Sequence, residues 1–140
     1  MKQQTLMMIK PDATRRNLIG RILMRIEQAG LRIRNMRMIH LTPGQARAFY
    51  HVHEGKPFLQ DLVAYMSSAP MVAVVLEGED AIRSLRNLAG ATDPAKADAG
   101  TIRSEMGLNI QENSVHASDS EESARVEIEF FGLDTAWSQS

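Results

Sequence analysis

Apolar residues in this chain alternate between short continuous runs and stretches that repeat every three to four positions. Residues 4–9, QTLMMI, predict a buried strand. It ends at Lys10-Pro11-Asp12, where proline stops the ladder and pushes its predecessor toward extended geometry. Ile19, Ile22, Leu23 and Ile26 then share one helical face, and Gly30 suits the position just past a helix end. Residues 31–41, LRIRNMRMIHL, alternate and change phase near Asn35-Met36, which predicts a bulged strand at a sheet edge.

Thr42-Pro43-Gly44-Gln45 is a capping box with proline at the first helical position, so a helix is expected to run to about His53. Pro57 opens another, with Leu59, Leu62, Val63 and Met66 as its inward stripe. PMVAVVL (70–76) reads as a continuous apolar strand, and residues 79–89 as a helix closed by Gly90. Residues 90–113 lack periodicity, and a loop of that length in a compact domain is usually functional. Val115-His116 is a short, buried strand on this reading. Ser118-x-x-Glu121 and Asp119-x-x-Glu122 are overlapping capping boxes before a helix that places Ala124, Ile128 and Phe131 together. The order gives a β-α-β-β-α-β core, a ferredoxin-like α+β sandwich. It has a four-stranded antiparallel sheet, helices on one face and a helical pair inserted between the middle strands.

Composition narrows the class. A chain of 140 residues, 44% apolar, suits a single globular domain spanning residues 1–140. There is no apolar run long enough to span a membrane and no secretory leader, so a cytoplasmic protein is expected. The absence of cysteine excludes disulfides and thiolate metal sites. The net charge of −1 hides an asymmetry: residues 1–50 carry ten Lys/Arg against two Asp/Glu, and residues 51–140 carry six against fifteen. The basic third raises nucleic acid as a partner. It lacks the dense cationic clusters with interleaved aromatics of a strand-binding surface, which argues against that partner. Scattered arginines suit a small phosphorylated ligand, whose oxygens match the guanidinium fork.

The usual glycine-loop phosphate cradles and zinc helices are absent. His51 and His53 point apart on a helix and read as surface polar residues. His116 stands beside the aperiodic loop and before a helix N-terminus, an environment that favours negative charge. From spacing alone, a satisfied core histidine and a phosphoryl-accepting one remain equally open. Glu127 is a candidate to orient its ring, or one more solvated glutamate.

IKPDA (9–13), GATDPAKADAGTIR (90–103) and NSVHASDS (113–120) together resemble the nucleoside diphosphate kinase family, in its order and approximate spacing, over almost the whole chain. The resemblance implies γ-phosphoryl transfer from a nucleoside triphosphate, chiefly ATP, to nucleoside diphosphates by a ping-pong route through a phosphohistidine, maintaining triphosphate pools. It implies His116 as nucleophile through Nδ1, with Glu127 on Nε2–H. Lys10 would reach the γ-phosphate and ribose, Arg86 and Thr92 the β-phosphate, and Arg103 the transferring group. Tyr50 would hydrogen-bond near the nucleophile. Asn113 would donate to the sugar, and Phe58 and Ile110 would sandwich the base beside Leu62. Mg²⁺ would bridge the phosphates, with Asp119 meeting it through water.

The family also implies a homodimer through the 31–41 edge strand and first helix, which bacterial members extend to a tetramer. The short C-terminal stretch GLDTAWSQS is of the bacterial type. Two departures stand out. Ala117 replaces the usual glycine after the histidine, which matters only if the backbone needs positive φ there, so activity is expected to survive. SEMGLNIQE (104–112) differs from the usual loop end and weakens the Ile110 assignment. The competing reading is a non-catalytic, regulatory nucleotide-binding module of the same fold, which needs the cations but no histidine.

Overall fold

The computed structural model describes residues 2–134. Residues 135–140, the last six of the GLDTAWSQS stretch, lie outside the described residues. Four strands, β1 (Lys2–Ile9), β2 (Arg32–Ile39), β3 (Met71–Glu79) and β4 (Val115–Ala117), form one sheet in the order β2-β3-β1-β4, with every pairing antiparallel. The helices are α1 (Pro11–Arg15), α2 (Ile19–Gln28), α3 (Pro43–Phe49), α4 (Leu59–Met66), α5 (Ala81–Ala89), α6 (Ile102–Met106) and α7 (Glu121–Phe130).

The helices occupy both faces of the sheet, which corrects the one-face expectation. Met7, Ile9, Val72, Val74, Leu76, Val115 and Ala117 pack against α2, α5 and α6. The alternate positions Leu6, Met8, Met71, Ala73 and Val75 pack against α3, α4 and α7. The reason is legible in the two central strands. Leu6 to Ile9 and Met71 to Leu76 are apolar at every position, and a strand that is apolar on both sides must be covered on both sides.

The edge strand β2 alternates in exposure from Arg32 to Met36 and shifts register between Ile33 and Asn35, so Arg34 is the extra residue of the expected bulge. Thr42 and Gln45 form the capping box of α3. That helix stops at Phe49, and His51–His53 form a 3-10 turn. The capping box of α7 lies further on than either expected one: Ser120 caps, with Ser123 at N3. Ser118 is buried and Asp119 accepts a hydrogen bond from Ser123 Oγ, so neither is available for that cap. Within residues 90–113 lie a 3-10 turn (Pro94–Lys96) and α6, both too short to carry a periodic signal. Among the described residues no helix is long and apolar enough to cross a membrane.

Candidate active site

Strand β4 decides where His116 points. Lys10 N–H donates to Ser114 O and Ser118 N–H to Leu6 O, so the intervening partners Met8 and His116 also form a hydrogen-bonded pair. The carbonyls of Val115 and Ala117 therefore face the open edge of the sheet. Alternation sends the side chains of Val115 and Ala117 into the α2/α5 core and that of His116 to the opposite face, beneath α7. The histidine is on an edge strand with its side chain about a quarter exposed, and not on a fully buried strand.

On that face Glu127 of α7 meets it. His116 Nε2 lies 2.9 Å from Glu127 Oε1, and the same oxygen accepts from Ser118 Oγ at 2.7 Å. A carboxylate only accepts, so Nε2 carries the proton and Nδ1 keeps a free lone pair. Sequence reasoning missed Ser118. Its position two residues beyond His116, on the same face of an extended segment, was the available signal.

The two arginines close the open edge of β4. Arg103 Nη2 donates to Val115 O at 2.9 Å and its Nη1 to Gly90 O at 2.8 Å, while Arg86 Nη1 donates to Ala117 O at 3.3 Å. Both guanidinium groups are thereby fixed on the carbonyls that flank His116. Burial, followed by the Arg86 charge, lowers the Arg103 pKa to about 10, and its Nε is buried without a hydrogen-bond partner.

Lys10 stands at the end of β1, 8% exposed. Its Nζ donates to Gln111 O at 2.7 Å and Asn113 Oδ1 at 2.8 Å. Burial pulls its pKa down to about 8, opposed by Asp12 and Glu112 and reinforced by Arg103. Asn113 also donates from Nδ2 to Thr92 O at 2.9 Å, which leaves one amide hydrogen free for a ligand.

These groups line a cavity of about 1030 Å³ that also takes in Tyr50, Phe58, Leu62, Ile110 and Asp119, so every candidate residue borders one cleft. Phe58 and Ile110 both line it and are exposed. Tyr50 packs on Phe49 and His53, and burial with the nearby Glu127 charge raises its phenol pKa, so it stays protonated. The expected hydrogen bond from Tyr50 is not formed: among the described residues the His116 ring hydrogen-bonds only to Glu127 and touches Phe49 edge-on. His53 is not a plain surface residue either, since its ring lies against Tyr50 and Phe58. Asp119 is exposed beyond His116, its carboxyl held below its usual range chiefly by the Ser123 hydroxyl. Ala117 has no positive φ, and its methyl group lies in the core away from the histidine.

The loop that carries Arg103 is tightly seated. Gly90 has φ +90°, and a Cβ there would meet Thr101 Oγ1 at 2.5 Å. Gly90→Ala is expected to cost about 1–3 kcal/mol and to lower kcat as Gly90 O shifts beneath Arg103. Thermal melts with steady-state rates check this. An unchanged melting temperature together with an unchanged kcat contradicts it.

A sheet of this order is the ferredoxin-like arrangement, and its cleft is centred on a histidine and lined by cations. The profile of the nucleoside diphosphate kinase family matches residues 3–135. The nucleoside diphosphate kinase of Haemophilus ducreyi is 56% identical over 131 residues, covering 94% of this chain and 95% of that protein. The Aquifex aeolicus nucleoside diphosphate kinase structure superposes with a TM-score of 0.92 at 44% identity, covering 97% of this chain and all of that one. The Halobacterium salinarum enzyme, solved in complex with CDP, gives 0.91 at 37% identity, covering 100% and 95%. The chain belongs to the nucleoside diphosphate kinase family, and it is a nucleotide phosphotransferase.

Proposed function

We propose that His116 is the phosphoryl carrier of this enzyme. The Nδ1 lone pair forms a bond to the terminal phosphorus of a nucleoside triphosphate, and the bond from that phosphorus to the bridging oxygen breaks, releasing the diphosphate. In the second half-reaction a terminal oxygen of an incoming nucleoside diphosphate attacks the same phosphorus and the N–P bond breaks. One cleft serves both nucleotides, which gives ping-pong kinetics. The observation that carries this is the His116–Glu127 pair: it fixes the tautomer and stabilises the positive ring that forms on attack, a device that binding alone does not need.

Lys10, Arg86 and Arg103 bind the phosphates and stabilise charge on the transferring group, with Thr92 on the β-phosphate. Phe58 and Ile110 take the base between them beside Leu62. Stacking on an aromatic face is indifferent to base identity, which suits an acceptor range that includes CDP, the ligand of the Halobacterium relative. Asn113 donates its free amide hydrogen to the sugar. Tyr50, held protonated, is a donor beside the carrier. Ala117 is compatible with full activity.

The implied cation is Mg²⁺, which would be held chiefly by the nucleotide, with Asp119 meeting it through water. Among the described residues no group of three or more His, Asp or Glu side chains converges as a metal site, and Asp119 on the cleft wall suits contact through water. Such a site would fit an ion that keeps most of its waters, and the chemistry it would supply is neutralisation of phosphate charge. The chain acts in the cytoplasm as one domain over residues 1–140. Its homodimer forms across β2, whose outer edge is unpaired and whose Met36 and Met38 are 49% and 61% exposed. Two such dimers make the tetramer, and light scattering reads the mass.

To test the reaction, the enzyme is incubated with Mg²⁺ and γ-labelled ATP, freed of nucleotide, and given GDP. The label is expected on the protein first and in GTP afterwards. Transfer that requires both nucleotides at once contradicts the carrier.

A further inference from the structure

Beneath Lys10 lies a buried polar cluster that the reaction as described does not use. Asp12 is 2% exposed, and its carboxylate accepts from two directions. Tyr65 on α4 donates to Oδ1, and Asp12 N–H donates back to the Tyr65 oxygen at 3.3 Å. Arg16 Nη2 donates to Oδ2 at 3.2 Å and, from the same nitrogen, to Met106 O at the end of α6 at 2.6 Å. Lys10 Nζ sits 5.5 Å from the centre of the Tyr65 ring. One carboxylate thus touches the helix that carries Leu62 and, through Arg16, the helix that carries Arg103.

We propose that Asp12 is a positioning residue for phosphoryl transfer: its carboxylate, gripped by Tyr65 and Arg16, sets a negative charge next to the buried Lys10 and ties the base-binding helix to the arginine-bearing one. This rests on the assignment of Lys10 to the nucleotide phosphates.

The groups around Lys10 divide by sign. Asp12 from α1 and Glu112 from the loop favour its charged form, while Arg103 from α6 opposes it. Arg16, just past the end of α1, offsets part of the Asp12 charge, and Tyr65 from α4 offers its ring face, which attracts a cation. Burial is the largest influence and acts against the charge, and Asp12 is the largest influence opposing it. A purely structural Asp12 would hold α1 in place without affecting the ionisation of its neighbour.

The two roles separate in Asp12→Asn, which keeps the shape and removes the charge. In the full-length protein, NMR of ¹³Cε-labelled lysine reads the titration of Lys10 directly, its signal being identified by its loss in Lys10→Met. The midpoint is expected about one pH unit lower in Asp12→Asn, and the alkaline limb of kcat/KM is expected to move down with it. Tyr65→Phe leaves the carboxylate in place with one donor fewer, so the midpoint holds or rises. That variant alone decides the matter if Asp12→Asn does not fold, because a fall there overturns the proposal. So does a parental midpoint in Asp12→Asn, or a midpoint that moves while the limb stays. In the parent enzyme, a limb that does not follow the Lys10 titration contradicts the assignment of Lys10 instead and leaves the midpoints to judge Asp12.

Discussion

His116→Ala is expected to lower kcat/KM for transfer by at least about 10⁴-fold, a loss of roughly 5.5 kcal/mol of transition-state stabilisation, while nucleotide affinity changes by no more than about threefold. The separation follows from the site. The cations proposed to bind phosphate are anchored on backbone carbonyls and on Asn113, and none depends on the imidazole. Nor does the fold depend on it, since the ring is partly exposed on an edge strand and Glu127 keeps its Ser118 donor. Stopped-flow transfer rates and nucleotide titration on the same preparation check both halves. A variant that retains the parental rate contradicts the mechanism; one that loses affinity as steeply as rate shows that His116 binds and does not carry.

Lys10→Met is expected to reduce kcat/KM by about 10²–10³-fold at pH 7, the scale on which a phosphate-directed cation acts. Its effect on stability has the opposite pH dependence from its effect on rate. In the folded protein Lys10 titrates near 8, against 10.5 for the free side chain. Below pH 8 the folded and unfolded chains both hold the proton, and the folded chain bears the full cost of burying the charge. Between 8 and 10.5 only the unfolded chain holds it, so this group makes the parent more stable as pH rises. Relative to Lys10→Met, the parent is expected to gain about 2 kcal/mol from pH 7 to 9.5 in denaturant unfolding. Over the same range its kcat/KM falls, because the neutral amine no longer attracts phosphate. A stability difference that is flat with pH contradicts the buried, shifted lysine.

The sequence foretold much of this arrangement, and its failures have physical causes. Long apolar runs located β1 and β3, and a 3.6-residue stripe located α2, because those segments are long enough to show a period. Helices α1 and α6 are five residues each, little more than one turn, and carry no such signal. The unbroken apolarity of Met71 to Leu76 already implied two covered faces, and the one-face expectation overlooked it. The capping box of α7 was misplaced because the sequence alone does not say which of three nearby serines is drawn inward. Ser118 is, toward Leu6 O and Glu127.

In the site, Lys10, Thr92, Arg103, Asn113, His116 and Asp119 fall within the three motifs that carry the resemblance, whereas Tyr50, Phe58, Leu62, Arg86, Ile110 and Glu127 were expected from the resemblance as a whole. Their supports were not. The Val115 and Ala117 carbonyls that seat the arginines, the Gln111 carbonyl under Lys10 and the Tyr65–Asp12–Arg16 cluster are contacts between distant parts of the chain. No local pattern encodes them. His53 was taken for a surface residue because a helix was assumed through it, whereas the 3-10 turn brings its ring against Tyr50 and Phe58.

The most direct measurement is the identity of the atom that bears the phosphoryl group in the first half-reaction. Enzyme charged with ATP and Mg²⁺ in the absence of acceptor is quenched in base, and the adduct is mapped by peptide mass spectrometry and ³¹P NMR. The expected result is one phosphoryl group on Nδ1 of His116, labile in acid and stable in base, because Glu127 holds the proton on Nε2. Phosphate on Nε2, on a serine or on no residue at all contradicts a carrier imidazole held in that tautomer.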